Sequence, residues 1–437
     1  IETEDYLAAI RILNKANLRN PNDPNVLSLI GVAYRGLGDY AKSTYYFSQV
    51  AELVPDSSHP IKDLARTKLK QGKYSEVIRE LSNLSSNDVN PVEIGLLLID
   101  SYIGNGQYNE AEKHILKLLE QNSESPFLLT KLANVFFQQK LGKKAQEIYQ
   151  QVLKLEPENN FAKIQLIRLH AIEKGLESAI KQIDIHINEN EDSPDFQTEK
   201  AQLLLMANKG TEALRLFEKA YLLNSKSEDL MNQFVAALLT EKKYDKAIDV
   251  LDEYIGRNNE SERAFVLLSN TFTKINRIDK AIAAQKEVTK VAKNKGSAFV
   301  ALGKMFLSVG KKSDALRAFN KATVWDDTYV PAYINIVQLS LDLNNFQVAE
   351  DTINIIRTID DEKVTADVLT ADLYVAQDKH EKAKQLLTSV MKVSPNKRAL
   401  LKLQSVLTYL GDYQLAKEYL VTWLKHNQND ILVELAF

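Results

Sequence analysis

The sequence predicts an all-α fold in which antiparallel helix hairpins stack into a right-handed superhelical solenoid, and three observations support this. Small residues recur at a constant step, two amphipathic helix patterns lie within each step, and glycine or proline separates them. The step is 34 residues, shortened once by one residue, and is carried by Ala111, Ala145, Ala179, Ala213, Ala247, Ala281, Ala315, Ala349, Ala383 and Ala416. A period kept this long indicates one supersecondary unit repeated and stacked on its neighbours.

Residues 24–57 form the reference unit, which contains two predicted helices and the turn between them. The first half places apolar and small residues on one helical face, at Leu27, Ile30, Gly31 and Tyr34. The second half ends at Pro55 and has a matching face at Ser43, Phe47 and Val50. Each half is about 14 residues, or about 21 Å of helix, so the unit is a helix hairpin.

The residue types within each unit have steric explanations. The recurring small residue lets the second helix approach the first, and a larger residue four positions later fills the space between units. Most first helices end at a residue that tolerates left-handed backbone geometry, namely Gly38, Gly72, Gly106, Asn208, Asn276, Gly310, Asn344, Asp378 and Gly411. These positions therefore predict where each first helix is capped.

Residues 1–437 are predicted to form a single solenoid. Residues 1–23 supply the second helix of a partial repeat, residues 24–430 contain twelve full repeats, and residues 431–437 begin another. Because the chain opens in the middle of a repeat and closes at the start of one, we expect it to be a piece of a longer protein.

The spacing resembles the tetratricopeptide repeat (TPR), whose pattern is W-x2-L-G-x2-Y, then A-x3-F, then P. The reference unit matches at Ile30, Gly31, Tyr34, Phe47 and Pro55, although the opening tryptophan is absent throughout. The resemblance covers nearly the whole chain. It implies a superhelix whose concave groove is lined by the first helices and binds peptides or protein segments.

Composition and motifs favour a non-catalytic protein without cofactors. The formal net charge of −3 gives no overall attraction to nucleic acid, and the absence of cysteine excludes thiolate metal sites and disulfides. No apolar run is long enough to span a bilayer. His170 and His186 fall in one repeat, but no third ligand has suitable spacing, so we expect both to be packing residues rather than a metal site. No catalytic, cofactor-binding or metal-binding residue is predicted.

A candidate ligand-binding groove follows from the ninth position of each repeat, which should point into the concave face. Most residues at that position and next to it are polar or charged. The residues predicted to bind a ligand are Lys62, Arg66, Asn134, Arg168, Gln202, Asn270, Lys304 and Gln338. They form either a ladder of donors and acceptors for an extended chain or a groove that is polar only for solubility. Arginine beside amides suits an acidic segment, and a polysaccharide is a further possible partner. We expect replacement of Arg66 and Arg168 to weaken binding without changing stability.

Two functions agree with these patterns. The first is a protein-interaction scaffold of the bacterial envelope, because the chain resembles the PEP-CTERM system TPR-repeat lipoproteins associated with exopolysaccharide production and protein sorting. That resemblance implies a periplasmic or outer-membrane-associated location, with the cytoplasm as the alternative. The second is the substrate-recruiting arm of a larger enzyme, such as a glycosyltransferase or a kinase. The residues that flank the chain would separate the two.

Overall fold

A computed structural model describes residues 3–82, 91–189, 193–359 and 362–427, together with Asp430 and Val433. All regular secondary structure in these ranges is α-helical, and the 25 helices follow one another as hairpins. The predicted all-α fold of repeated hairpins is therefore confirmed. Apart from Val433, the predicted start of a further repeat at 431–437 lies outside the described residues.

The chain divides into two compact units, unit 1 at Ile1–Asn276 and unit 2 at Arg277–Phe437. The helices of unit 1 are α1 (Thr3–Arg19), α2 (Pro24–Leu37), α3 (Tyr40–Leu53), α4 (His59–Lys70), α5 (Tyr74–Ser82), α6 (Pro91–Gly104), α7 (Tyr108–Leu119), α8 (Pro126–Gln138), α9 (Gly142–Leu155), α10 (Asn160–Lys174), α11 (Leu176–Glu189), α12 (Pro194–Met206), α13 (Gly210–Leu223), α14 (Glu228–Thr240), α15 (Tyr244–Arg257) and α16 (Glu262–Lys274). The helices of unit 2 are α17 (Ile278–Val291), α18 (Lys295–Ser308), α19 (Lys312–Trp325), α20 (Val330–Asp342), α21 (Phe346–Thr358), α22 (Lys363–Ala376), α23 (His380–Val393), α24 (Lys397–Tyr409) and α25 (Tyr413–His426). The organisation of residues 1–437 as one unbroken solenoid stays a prediction.

Even-numbered helices are the first helices of the repeats and odd-numbered helices are the second helices. Their turns depend on left-handed residues, as the end of α2 illustrates. Gly38 has φ of 78°, and the Asp39 N–H donates to the Tyr34 carbonyl at 3.0 Å, which closes the helix end. All nine predicted cap positions have positive φ, and so do Lys140 and Lys242, which the sequence did not mark.

The core of both units lies where the helices of a hairpin meet. The recurring alanines have no exposed surface from Ala111 to Ala383, and Ala416 is 4% exposed. Phe47 and Phe319, each four positions after the small residue, are also fully buried. A Cβ on Gly31 would lie 3.0 Å from the Phe47 ring, and one on Gly303 would lie 2.3 Å from Phe319. Glycine is therefore needed in these first helices so that the aromatic ring can reach the helix backbone.

Candidate binding surface on the first helices

The first helices of unit 1 form a surface, called here the first-helix face, that consists of the exposed sides of α2, α4, α6, α8, α10, α12, α14 and α16. Successive first helices touch directly, for example α4 with α6 and α10 with α12. Side chains on one first helix can therefore reach the next. This reach determines which polar groups remain available to a ligand.

A pattern of polar pairs links consecutive first helices, joining the ninth position of one repeat to the sixth position of the next. Asp100 pairs with Lys131 at 2.5 Å across α6 and α8. The next pair is uncharged: the Gln202 amide donates a hydrogen bond to Gln233 at 3.1 Å across α12 and α14. In unit 2 the same register pairs Asp372 with Lys402 at 2.7 Å. The pairs thus recur with the repeat and hold adjacent first helices side by side.

The strongest of these pairs joins Arg168 on α10 to Glu199 on α12. The guanidinium donates through Nε at 2.9 Å and through Nη2 at 2.6 Å, so both carboxylate oxygens are engaged. The side chain of Glu199 is only 5% exposed, whereas that of Arg168 is 40% exposed. The hydrogen bonds to Glu199 raise the pKa of Arg168, which keeps its charge. Because the buried carboxylate of Glu199 needs both hydrogen bonds from Arg168, this ion pair stabilises the fold, and Arg168 is less available to a ligand.

A second charge cluster occupies α2, α4 and α6. Asp63 accepts from Arg35 at 2.9 Å and from Arg66 at 3.0 Å through the same oxygen, Oδ1. Glu93 pairs with Lys62 at 3.2 Å and also contacts Arg66. Lys62 is only 3% exposed. The early groove is therefore an alternating network of cations and anions, in which the predicted groove residues Lys62 and Arg66 are both paired with carboxylates.

Asn134 is engaged inside its own repeat. The hydroxyl of Tyr149, which is fully buried, donates to Asn134 Oδ1. Burial raises the pKa of Tyr149 well above its usual range, so the hydroxyl stays neutral and needs an acceptor. Asn134 supplies that acceptor, and its side chain is fixed by the core.

The eight predicted groove residues thus fall into two groups. The first five form ion pairs or hydrogen bonds with other side chains of this protein, namely Lys62, Arg66, Asn134, Arg168 and Gln202. The other three are exposed, with Asn270 in unit 1 and Lys304 and Gln338 in unit 2. Because Arg66 and Arg168 form these ion pairs, we now expect their replacement to lower the stability of the fold as well. Whether any of the eight contacts a ligand stays a prediction.

The first-helix face contains a pocket between α2, α4 and α6 that the sequence did not reveal. Its volume is about 570 Å³, and it is lined by Arg35, Arg66, Leu69, Lys70, Tyr74, Asp100, Ile103 and Gly104. The tyrosine ring covers the glycine so closely that a Cβ on Gly104 would lie 2.3 Å from Tyr74. The pocket therefore combines an apolar floor with a rim of three cations and one anion.

Five of the eight lining residues lie at the twelfth or thirteenth position of their repeats, namely Arg35, Leu69, Lys70, Ile103 and Gly104. Sequence reasoning considered the ninth position and so missed Arg35 and Lys70. The sequence carried one indication of the pocket. Glycine occupies the thirteenth position of two repeats, at Gly36 on α2 and Gly104 on α6, and so leaves room for a neighbouring ring. Tyr6 covers Gly36 as Tyr74 covers Gly104, with a Cβ at 2.3 Å in each case. Gly36 lies within α2, two residues before the left-handed Gly38.

Two exposed phenylalanines extend the first-helix face beyond the pocket. Phe127 on α8 is 57% exposed and Phe161 on α10 is 46% exposed, at the second position of neighbouring repeats. The Lys131 ammonium, which pairs with Asp100, also lies 5.1 Å from the centre of the Phe127 ring. Exposed aromatic rings beside charged groups are typical of protein-binding surfaces.

His170 and His186, the two histidines of one repeat, each contact a neighbouring side chain. His170 Nε2 lies 2.8 Å from Ser178 Oγ, and the His186 ring stacks on Phe196 at 5.3 Å. Within the described ranges, no three His, Asp or Glu side chains come together in a way that could hold a metal ion. In the same ranges, the helices lack the combination of length and apolar character that crossing a membrane requires.

Comparison with known proteins gives matches among solved structures alone. No protein-family model matches the chain, and no curated protein matches it in sequence. The crystal structure of yeast Tom70 covers 95% of this chain and 93% of that chain, at 16% sequence identity and a TM-score of 0.39. The crystal structure of the APC/C hetero-tetramer Cut9-Hcn1 covers 95% of both chains, at 13% identity and a TM-score of 0.31. Likeness at this level carries no conclusion about what this chain binds.

Proposed function

We propose that this protein is a non-catalytic interaction scaffold that binds an extended segment of another protein on the first-helix face of unit 1. The observation that carries the proposal is the pocket between α2, α4 and α6. Its floor offers Leu69, Ile103 and the Tyr74 ring to an apolar side chain, and its rim offers charge to the neighbouring residues of the segment.

The pocket and the exposed phenylalanines favour a protein ligand. Apolar floors and aromatic anchors contribute most of the binding free energy in protein interfaces. Phe127 and Phe161 lie on the first helices that follow those of the pocket, so an extended segment can contact both regions. A neutral polysaccharide would leave the charged rim of Arg35, Lys70 and Asp100 without matching groups.

The proposal is tested by reversing one charge on the pocket rim. Lys70 is exposed in the last turn of α4, so Lys70→Glu should preserve the fold while opposing the ligand. Lys274 is the matched control, because it is exposed at the same position of its repeat, in the last turn of α16. Proteins captured from envelope and cytosol fractions of the host would be compared for the wild type, Lys70→Glu and Lys274→Glu.

A partner that is retained by the wild type and Lys274→Glu but lost by Lys70→Glu supports the proposal. Circular dichroism melts of the three proteins check that the fold is equal. If every captured protein binds all three forms equally, the pocket is not the binding site. Capture of an acidic polysaccharide in place of a protein would likewise contradict the proposed partner class.

We further propose that the scaffold acts in a bacterial exopolysaccharide export or protein sorting system, in the periplasm or at the outer membrane. The support is the sequence resemblance to the PEP-CTERM system TPR-repeat lipoproteins. The residues before and after this chain in its reading frame test the idea. A lipidation signal followed by further repeats supports it, whereas a catalytic domain such as a glycosyltransferase would contradict it and favour an enzyme arm.

A further inference from the structure

The two arginines of the pocket converge on one internal carboxylate. Asp63 Oδ1 accepts from Arg35 Nη1 on α2 at 2.9 Å and from Arg66 Nη1 on its own helix at 3.0 Å. Both arginines line the pocket, whereas Asp63 is not among its lining residues. Asp63 therefore holds two guanidinium groups at the edge of the cavity without filling it.

Donors remain on this pair for a second acceptor. A guanidinium has five N–H donors in a planar fork. In the described residues Arg35 engages Asp63 through Nη1 alone, to the side chain and to the backbone carbonyl at 3.3 Å. Its Nε and Nη2 groups are left for a ligand. The Arg35 guanidinium also lies 5.3 Å from the centre of the Phe47 ring, which restricts its orientation.

The charges around the pocket favour an incoming anion. Lys70 adds a third cation to the rim, and unlike the half-buried Arg35 and Arg66 it is exposed. The one anion on the rim, Asp100, is already paired with Lys131 at 2.5 Å. A carboxylate that enters the pocket thus meets three cations. Asp63 partly neutralises Arg35 and Arg66 from behind, and Arg66 is also paired with Glu93, so Arg35 and Lys70 offer the most available charge.

Building on the proposed function, we propose that Arg35, Arg66 and Lys70 bind a side-chain carboxylate of an acidic protein segment, and that Asp63 limits the affinity. Asp63 acts as a positioning residue, because it orients the arginines and also repels the ligand. A carboxylate bound by the same two arginines would be repelled by the Asp63 charge, so removal of that charge should strengthen binding about fivefold to tenfold. The site is therefore tuned to reversible, salt-sensitive binding.

The substitution that tests this is Asp63→Asn. The asparagine oxygen can still accept from Arg35 and Arg66, so the arginines keep their positions while the competing charge is lost. Asp249→Asn is the control, because Asp249 is exposed on α15, a second helix of unit 1, and makes the same change in net charge. The probe is a short fluorescein-labelled peptide of glutamate and serine with one central leucine. Its glutamine analogue is the second probe.

Fluorescence anisotropy should show about fivefold to tenfold tighter binding of the glutamate peptide to Asp63→Asn than to the wild type. Asp249→Asn should match the wild type, and the glutamine peptide should bind all three weakly. The gain should shrink in high salt, where charges are screened over a few ångströms. The lysine variant Arg35→Lys should bind the glutamate peptide less well, because it keeps the charge and loses the fork.

Unchanged or weaker binding of the glutamate peptide to Asp63→Asn overturns this inference, and so does equal binding of the two peptides. Such a result leaves the proposed function standing if Lys70→Glu still loses its captured partner. If Lys70→Glu captures the same proteins as the wild type, the pocket assignment itself fails. The two failures are therefore distinguishable.

Discussion

Replacing Arg168 with alanine should destabilise unit 1, because the change leaves the carboxylate of Glu199 without its partner. The Glu199 side chain is 5% exposed and receives two hydrogen bonds from Arg168, at 2.9 Å and 2.6 Å. Removing one partner of a fully buried ion pair typically costs about 3–5 kcal/mol. The Arg168 side chain is 40% exposed, so water would enter the space it leaves. We therefore expect a loss of about 2 kcal/mol.

Urea unfolding followed by far-ultraviolet circular dichroism measures this loss as a lower midpoint. The two tryptophans, Trp325 and Trp423, are both in unit 2, so tryptophan fluorescence in the same titration indicates which unit is affected. The double variant Arg168→Ala with Glu199→Gln should recover part of the loss, since no buried charge remains. An Arg168→Ala midpoint equal to that of the wild type would refute the reasoning.

Two further predictions concern packing and pH. Ala247→Phe should cost about 1–3 kcal/mol by overpacking, because Ala247 has no exposed surface, and an unchanged melting temperature would contradict the stacking of the hairpins. Burial lowers the pKa of His114, which stacks on Tyr102. The unfolded state therefore binds the proton first, and stability should fall as the pH drops below about 6.5. His114→Gln should reduce that acid-side loss in urea titrations, and identical pH profiles would argue against it.

The fold could be predicted from the sequence because each repeat obeys local rules. Alanine at a fixed step, glycine under an aromatic ring and left-handed caps all act within one hairpin or between neighbours. The nine caps marked by glycine, asparagine or aspartate were found as expected. Lys140 and Lys242 were missed, because lysine has no intrinsic preference for positive φ and the surrounding helices impose it.

The candidate site could be predicted only in part, because its chemistry depends on pairs between repeats. Arg168 has the residue type of a ligand contact when its own repeat is considered alone. The glutamate that engages it, Glu199, is 31 residues later, at a position with a different role in the pattern. Complementary charges at that spacing are the signal that would have found these pairs. The pocket could not be predicted from the sequence, because its lining comes from four helices: α2, α4, the start of α5 and α6.

The polar pairs between first helices make neighbouring hairpins non-interchangeable. Excision of residues 160–193, one full period, would keep every helix in phase, yet it would bring Asn134 into the place of Arg168 opposite Glu199. A desolvated carboxylate would then face an amide already committed to Tyr149. By contrast, Gln202 and Gln233 are neutral amides, so a rearrangement that separates this pair leaves neither residue with an unpaired charge. Gain or loss of modules by recombination during evolution would thus be selected against at some junctions and permitted at others.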